Sequence, residues 1–380
     1  MDWEVKKLGE VCEELFAGGD VPKKNSSKFK TEKFHIPIYS NGAKNKGLYG
    51  YTNVSRVKKP SITISARGTI GYSEIRYGEY LPVVRLIVLI PNKNLIDICF
   101  MHYAIISLNF VNSGTSIPQL TVPMVKKYEI PIPPLPIQKK IVSILDKAFK
   151  KISKAKENVE KNLKNTKEVF ESYLHNVFEN KGEGWEEWRL GDICEKTKNI
   201  KWQDYSDEEF QYIDLSSVSR NTLLVTNTTM VNQKNAPSRA KKIILEDDII
   251  FGTTRPTLKR VAKITNELDG QICSTGFTVL RPIKELVLSD LIYYYLQTRK
   301  FMNKMKILQK GASYPAVTDS EIKNQSLFLP TISKQLAIFK KLDTLSKKTR
   351  LLEKIYIQKL NDIEKLKQSI LQKAFIGELT

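Results

Sequence analysis

The passage GTSIPQLTVPMVKKYEIPIPPLPIQKKIVSILDK, from Gly114, returns from Gly311 as GASYPAVTDSEIKNQSLFLPTISKQLAIFKKLDT. Between Gly114 and Phe178 the second copy follows the first at a constant 197 residues, without a gap. Upstream the offset drifts. WEVKKLGEVCE at Trp3 returns as WEEWRLGDICE at Trp185, 182 residues on. SITISARGTIG around Arg67 is echoed by DIIFGTTRPTL around Arg255 at 188, and VLIP at Val88 by VLRP at Val279 at 191. Such a repeat sets the unit of folding before any element is assigned. A drifting offset marks a module that accepts insertions, and a constant offset marks a segment whose length is held. The chain is thus written as a variable module and a fixed module, twice.

The fixed module has a period. Ile141, Leu145, Ala148, Ile152, Ala155, Val159, Asn162, Thr166, Val169, Tyr173 and Val177 step by four and three in turn. Their counterparts are Ile338, Leu342, Leu345, Thr349, Leu352, Tyr356, Lys359, Ile363, Leu366, Ile370 and Ala374. This is a heptad seam, with charged residues between its members. Asn162 and Lys359 fall at the same step; they set register, or else Leu163 and Leu360 beside them do the packing. A lone amphipathic helix of this length is poorly stable, so each copy needs a partner, and the other copy is the obvious one.

Reach decides their sense. A helix over the seam, from Ile141 to Val177, extends roughly 55 Å. The second variable module, of about 145 residues, has a radius of gyration near 15 Å and a diameter near 40 Å. It begins where the first helix ends and must also meet the start of the second. An antiparallel pair satisfies this; a parallel pair overstretches the module. The expected fold is therefore α+β: two globular mixed α/β modules separated by a long antiparallel two-helix coiled coil, with pseudo-twofold symmetry. The boundaries are 1–136, 137–181, 182–333 and 334–380.

Within the globular modules, KPSITISARGTIGYSEI, YLPVVRLIVLIP and IILEDDIIFGTT read as strands, with Gly and Pro as punctuation. IDICFMHYAIISLNFV and LSDLIYYYLQTRKFMNKMK read as helices near the end of each module. PIPPLP reads as an extended connector that cannot join a helix.

The net charge is +20 over 380 residues. A chain this basic is poised for a polyanion, and nucleic acid is the commonest; solvated lysine faces account for part of the excess. Cys12, Cys99, Cys194 and Cys273 lack metal spacing and read as buried thiols in a reducing compartment. MDWEVKKLGEV carries no apolar leader core, and ICFMHYAIISLNFV is too short for a membrane span. A soluble cytoplasmic protein with no membrane partner is expected.

The duplicated Gly-x-Ser-x-Pro passage, the helix entries PIPPLPIQKKIVSILD and LPTISKQLAIFKKLD, and the starts Trp…LG(E/D)(V/I)CE occur in this order twice. In this the chain resembles, along essentially its whole length, the specificity subunit of type I restriction–modification systems. The second copy departs by losing the PIPPLP prolines, and little follows the second helix before Thr380. The resemblance implies two target-recognition domains, each reading one part of a split site in double-stranded DNA. The helices act as a spacer and dock two methyltransferase (modification) subunits. Restriction/translocase subunits complete the complex. S-adenosylmethionine, ATP and Mg belong to those partners, and this chain itself carries no cofactor and catalyses nothing. A rod of the expected length places the module centres about one to one and a half turns of duplex apart, at ~34 Å per turn.

Phosphates position a DNA reader and base edges specify the sequence. Arg67 lies in SARGTIG with Ser65 and Thr69, and Arg255 in GTTRPTLKR with Thr254, Lys259 and Arg260. Short polar residues and Gly let backbone approach backbone, and Arg can fork onto guanine; the alternative is a strand-edge Arg in a surface ion pair. YSNGAKNKGLYGYTN offers Asn41, Lys44, Asn45, Lys46, Tyr49 and Tyr51, cations interleaved with aromatics. VPKKNSSK adds Lys23, Lys24 and Lys28 as phosphate neutralisers, and NAPSRAKK adds Ser238, Arg239, Lys241 and Lys242. Ser116 and Ser313 read as turn-capping residues.

Two other classes compete with this reading. A stand-alone DNA-modifying enzyme would need a base-holding Asn/Asp-Pro-Pro-aromatic tetrapeptide or a phosphate loop ending in Lys-Ser/Thr, and neither occurs. Asp247 and Asp248 lack a following acid–x–Lys, and His35, His102 and His175 are far apart. A coiled-coil adaptor with two protein-binding heads and no DNA contact fits the architecture; the charge argues against it and leaves it open.

Overall fold

The computed structural model describes residues 3–108, 110, 119–205 and 208–379. The first Gly-x-Ser-x-Pro turn, with Ser116, lies outside the described residues; its second copy lies within them. The chain divides into two compact units, Met1–Glu160 with Gln358–Thr380, and Lys161–Ile357.

In the first unit, β1 (Glu4–Lys7) pairs antiparallel with β10 (Glu129–Ile132). Strands β2 (Cys12–Ala17), β6 (Ser61–Ile64), β7 (Ser73–Arg76) and β9 (Ile87–Pro91) form an antiparallel sheet in the order β2-β9-β6-β7. Strands β3 (Ser26–Ser27), β4 (Ile36–Tyr39), β5 (Leu48–Thr52) and β8 (Leu81–Pro82) form a second sheet, β3-β5-β4-β8, in which β4 and β8 run parallel. Helices α1 (Ile98–Ser107) and α2 (Val122–Lys126) precede β10, and α3 (Leu135–Glu179) follows it.

The second unit repeats this plan. β11 (Glu186–Arg189) pairs with β20 (Ser326–Leu329). β12 (Cys194–Glu195), β16 (Ile249–Gly252), β17 (Val261–Lys263) and β19 (Phe277–Pro282) are ordered β12-β19-β16-β17. β13 (Phe210–Ile213), β14 (Thr229–Val231), β15 (Ala240–Ile243) and β18 (Ile272–Ser274) are ordered β14-β13-β18-β15, with β13 and β18 parallel. Helices α4 (Ser289–Tyr295), α5 (Arg299–Leu308) and α6 (Asp319–Lys323) come before β20, and α7 (Ile332–Phe375) after it.

Alternation along the central strands explains why they read as unbroken apolar runs. Side chains of a strand alternate between faces. Ile87 and Leu89 of β9, with Ile62 and Ile64 of β6, join Phe100, Met101 and Ile105 of α1 in one core. Val88 and Ile90 face the other way, onto Val57 and Tyr80. Likewise Ile249 and Phe251 of β16 join the helix-side core, while Ile250 faces the second sheet with Phe277 and Val279. Both faces of the central strands are covered.

The long helices enter these cores at their ends. Ile141 and Leu145, near the start of α3, share a core with Leu371 and Ala374, near the end of α7. Leu174 and Phe178, near the end of α3, share the other with Leu342, near the start of α7. Each unit thus joins the beginning of one helix to the end of the other. The expected seam holds at these ends and drifts elsewhere. Val169 is 54% exposed, and Phe170 and Leu174 pack in its stead. Asn162 and Lys359 are exposed beside half-buried Leu163 and Leu360.

PIPPLP corrects one expectation. Pro131 lies in β10 opposite Val5, and Leu135 and Pro136 belong to the first turn of α3. Proline is tolerated there because first-turn N–H groups have no intrahelical partner to lose. Just inside that turn sits Gln138, fully buried. Its Oε1 accepts from Asp97 N at 2.8 Å, and its Nε2 donates to Leu95 O at 3.0 Å and Pro133 O at 2.8 Å. Gln335 does the same in α7, accepting from Leu288 N at 3.0 Å and donating to Leu286 O at 2.8 Å and Pro330 O at 2.9 Å. These are the glutamines of the duplicated passage. Each ties a long helix to the loop that starts α1 or α4.

Candidate nucleic-acid interface

In the first unit three connections converge: 40–47 after β4, 65–72 after β6, and 83–86 after β8. Asn41 joins them. Its Nδ2 donates to Val84 O at 2.6 Å and its Oδ1 accepts from Ala66 N at 2.7 Å. Ser65 Oγ accepts from Gly42 N at 2.9 Å, and Ser65 is 1% exposed. Asn41 spends one hydrogen bond at each end of its half-buried amide on the loops, and Ser65 lies beneath the surface, so both hold the loops together. Arg67 is half-buried, with Nε and Nη2 both donating to Gln119 Oε1, at 3.1 and 2.7 Å. Thr69 is exposed beyond it.

Lys44, Asn45 and Lys46 are exposed on a 3-10 turn whose Asn45 and Lys46 take left-handed φ values of 48° and 53°. The turn is held from below by a residue that sequence reading missed. Arg76 is buried, stacked on Tyr39 at 3.7 Å, with Nε donating to Thr63 Oγ1 at 3.1 Å and Nη2 to Lys46 O. Nothing in the alternation of β7 distinguishes this arginine from a surface one. The structure also unites two stretches that lie apart in sequence. Lys23, Ser27, Lys28, Asn45 and Tyr49 line one recess of about 730 Å3. Tyr49 is 53% exposed at its rim, and Lys24 is exposed on the same turn as Lys23. Tyr51 is half-buried. Gly50 permits this approach, since a Cβ there would lie 2.5 Å from Ser27 O.

In the second unit Arg255 is exposed and left-handed, φ 50°. Its N donates to Pro315 O at 2.6 Å and its Nη2 to Ser313 O at 3.1 Å, and its guanidinium stands 4.8 Å from the Tyr314 ring. Ser313 thus serves the arginine through its carbonyl. Lys259 is exposed and also left-handed, φ 52°, while Thr254 is half-buried. Arg260 is half-buried, and its Nη1 is enclosed with no partner among the described residues. Burial, then the charge of Arg220 from the 214–228 connection, pulls the Arg260 pKa down. Arg220 is exposed and carried no sequence signal. Ser238, Arg239 and Lys241 are exposed. They reach the same edge: Thr275 N donates to Arg239 O at 2.9 Å, and Thr253 N to neighbouring Gly276 O at 2.8 Å. Lys242 does not join them, because its Nζ donates to Phe277 O and to Asp319 Oδ2, both at 2.6 Å.

The arginine loops of the two units are fastened alike. Leu120 N donates to Ala66 O at 2.9 Å in the first, and Val317 N to Thr253 O at 3.0 Å in the second. Leu120 and Val317 are equivalent positions of the repeat.

Acids and thiols elsewhere are committed. Asp248 is buried in a two-point ion pair with Arg281, at 2.9 and 2.8 Å, and Asp247 pairs with Lys263 at 3.0 Å. Burial pushes the Cys12, Cys194 and Cys273 thiols up to about 12. His102 Nε2 lies 3.2 Å from Ser73 O, and burial pulls its pKa down. Among the described residues no group of three or more His, Cys, Asp or Glu could hold a metal ion, and no helix is long and apolar enough to cross a membrane.

A model of the type I restriction modification DNA specificity domain matches this chain twice, over residues 1–163 and 182–362. A type I specificity subunit of Mycoplasma pneumoniae is 36% identical over 172 residues, 45% of this chain and 51% of that protein. The chain thus spans about half the length of this relative. The MjaX specificity subunit of Methanocaldococcus jannaschii is 24% identical along 100% of this chain and 94% of its own. Among solved structures, a chain from work on the assembly and conformational transition of a type I R-M system superposes with a TM-score of 0.75 at 17% identity, covering 98% of this chain and 97% of that one. The HsdS subunit of Thermoanaerobacter tengcongensis gives 0.56 at 18%, covering 98% and 96%. At such identities the likeness is one of fold. The double match falls on the two halves that the repeat delimits, and this chain belongs to the type I restriction–modification DNA specificity family.

Proposed function

We propose that this chain is the non-catalytic DNA-recognition subunit of a type I restriction–modification complex. Each unit reads one half of a bipartite site in duplex DNA. The target-recognition domains are 1–136 and 182–333; the spacer helices, 137–181 and 334–380, form an antiparallel strut related by a pseudo-twofold axis. Two methyltransferase subunits dock on this scaffold, and restriction/translocase subunits join them. S-adenosylmethionine, ATP and Mg act in those partners, in the cytoplasm.

One observation carries this reading. Both units present an arginine loop at the same topological place, fastened by the same backbone bond to the repeated segment. The loops differ in length and chemistry, as suits two unlike half-sites. Contacts are proposed for Arg67, Thr69, Lys44, Asn45, Lys46, Tyr49, Lys23 and Lys24 in one unit. In the other they are Arg255, Lys259, Arg260, Thr254, Ser238, Arg239 and Lys241. The net charge of +20 supplies the attraction to phosphate.

The test is methylome sequencing of a host carrying this chain with its modification subunit. The expected result is methylation at one split sequence with a constant unread gap. Methylation at a contiguous motif, or none that depends on this chain, would refute the reading.

A further inference from the structure

We infer that Arg85, displayed on the turn between β8 and β9, is a base-reading residue of the first unit and sets one letter of its half-site. The inference rests on the DNA-recognition reading above. Leu86 N donates to Val83 O at 3.1 Å, and the two central residues, Val84 and Arg85, have φ values of 55° and 61°. Left-handed backbone is disfavoured for L-residues, and for a β-branched residue such as valine it is a true outlier. Such strain persists only where the surroundings over-determine it, and it gathers at functional sites.

The surroundings do over-determine it. Val84 N donates to Gly19 O at 2.7 Å and Arg85 N to Gly18 O at 3.2 Å. Asn41 Nδ2 donates to Val84 O at 2.6 Å. Gly18 makes the close approach possible, since a Cβ there would lie 2.6 Å from the carbonyl carbon of Pro82. The peptide groups of the turn are therefore spent on holding it. The Arg85 side chain is exposed, with no partner among the described residues. Through Asn41 the turn is tied to the connections bearing Lys44–Lys46 and Arg67.

Two further observations favour reading over mere attraction. Of the six other non-glycine residues of positive φ among the described residues, four, Asn45, Lys46, Arg255 and Lys259, are themselves candidate contacts; Leu223 and Asp247 are not. And the equivalent link of the second unit, between β18 and β19, is Thr275–Gly276, shorter and without a cation. A phosphate anchor serving both half-sites alike would recur; a residue reading a letter in one of them need not. Arginine suits that task because its fork matches guanine O6 and N7.

The experiment uses the full chain assembled with its modification subunit, assayed for methylation on a library randomised at both half-sites. Arg85→Ala and Arg85→Lys should each relax one position of one half-site by about 10- to 100-fold, leaving the other half-site as it was. The log–log salt slope of binding should change by less than one phosphate's worth in the lysine variant, about 0.9. Val84→Gly keeps Arg85 and removes the strain, so it should raise the urea midpoint while weakening discrimination at that same position. Unchanged preferences in both arginine variants would overturn the inference, as would a uniform loss across all sites with a slope shallower by one phosphate. A lowered midpoint for Val84→Gly would overturn the strain argument. Were the unaltered complex to show no bipartite methylation, the failure would lie with the broader reading.

Discussion

Replacing Gln138 by Leu keeps the volume of the first turn of α3 and removes three hydrogen bonds. The fully buried amide satisfies Asp97 N, Leu95 O and Pro133 O. Each buried backbone group left without a partner costs about 1–3 kcal/mol. Burying the leucine returns about 1.5–3 kcal/mol. Taking the middle of both ranges, the loss is about 3–4 kcal/mol. Every 1.4 kcal/mol is a tenfold change in an equilibrium, so opening should become a few hundredfold more frequent, to order of magnitude. Native-state amide exchange followed by mass spectrometry reads this directly. Peptides covering α1 and the start of α3 should exchange at least a hundredfold faster in Gln138→Leu. Those covering α4 and the start of α7 should respond in the same way to Gln335→Leu. A change smaller than about threefold in either variant would refute the claim that these glutamines weld helix to module.

The other expectations concern charge. Burial holds the His102 pKa below its ordinary value, so the folded state binds a proton less readily than the unfolded chain. The stability it contributes is complete above about pH 6.5 and is lost as pH falls through the lowered folded value; His102→Gln should flatten urea midpoints between pH 7 and 5, and an equal pH dependence in both proteins would count against this. Lys23 and Lys28 line the recess beside Tyr49. Replacing both with Ala should make the log–log salt slope of DNA binding shallower by about 1.8 if each neutralises one phosphate, with the methylated sequence unaltered; an unchanged slope would remove them from the interface.

Much of the architecture was legible because the repeat is a statement about length. The constant offset marked the segment that runs from the arginine-loop fastening through the long helix, where an insertion would break register. The seam itself drifted for a geometric reason. A straight α-helix rotates about 20° per heptad against a strict seven-residue repeat, so by four heptads the buried stripe has moved from Val169 to Phe170 and left Leu366 exposed. LSDLIYYYLQTRKFMNKMK read as one helix but is two. Thr298 accepts from Phe301 N at 3.2 Å and caps the second, while its own hydroxyl donates to Tyr295 O at 2.8 Å. At the candidate interface the residue types were legible and their roles were not. Asn41 looked like a reader because it is polar and sits in a loop, and only the fold shows that its amide bridges two others. A Val-Arg dipeptide carries no turn signal, so the tip at Val84–Arg85 is invisible until its dihedrals are known.

The bond from Leu120 N to Ala66 O, with its counterpart from Val317 N to Thr253 O, joins one peptide group to another and uses no side chain. Any amino acid but proline can donate at the first position, and any at all can accept at the second. The arginine loops therefore hang from a fitting indifferent to their composition. Loops taken from a relative could be grafted beyond the same acceptor peptide, and a lineage could acquire a new target by exchanging only the few residues that link β6 to β7 or β16 to β17.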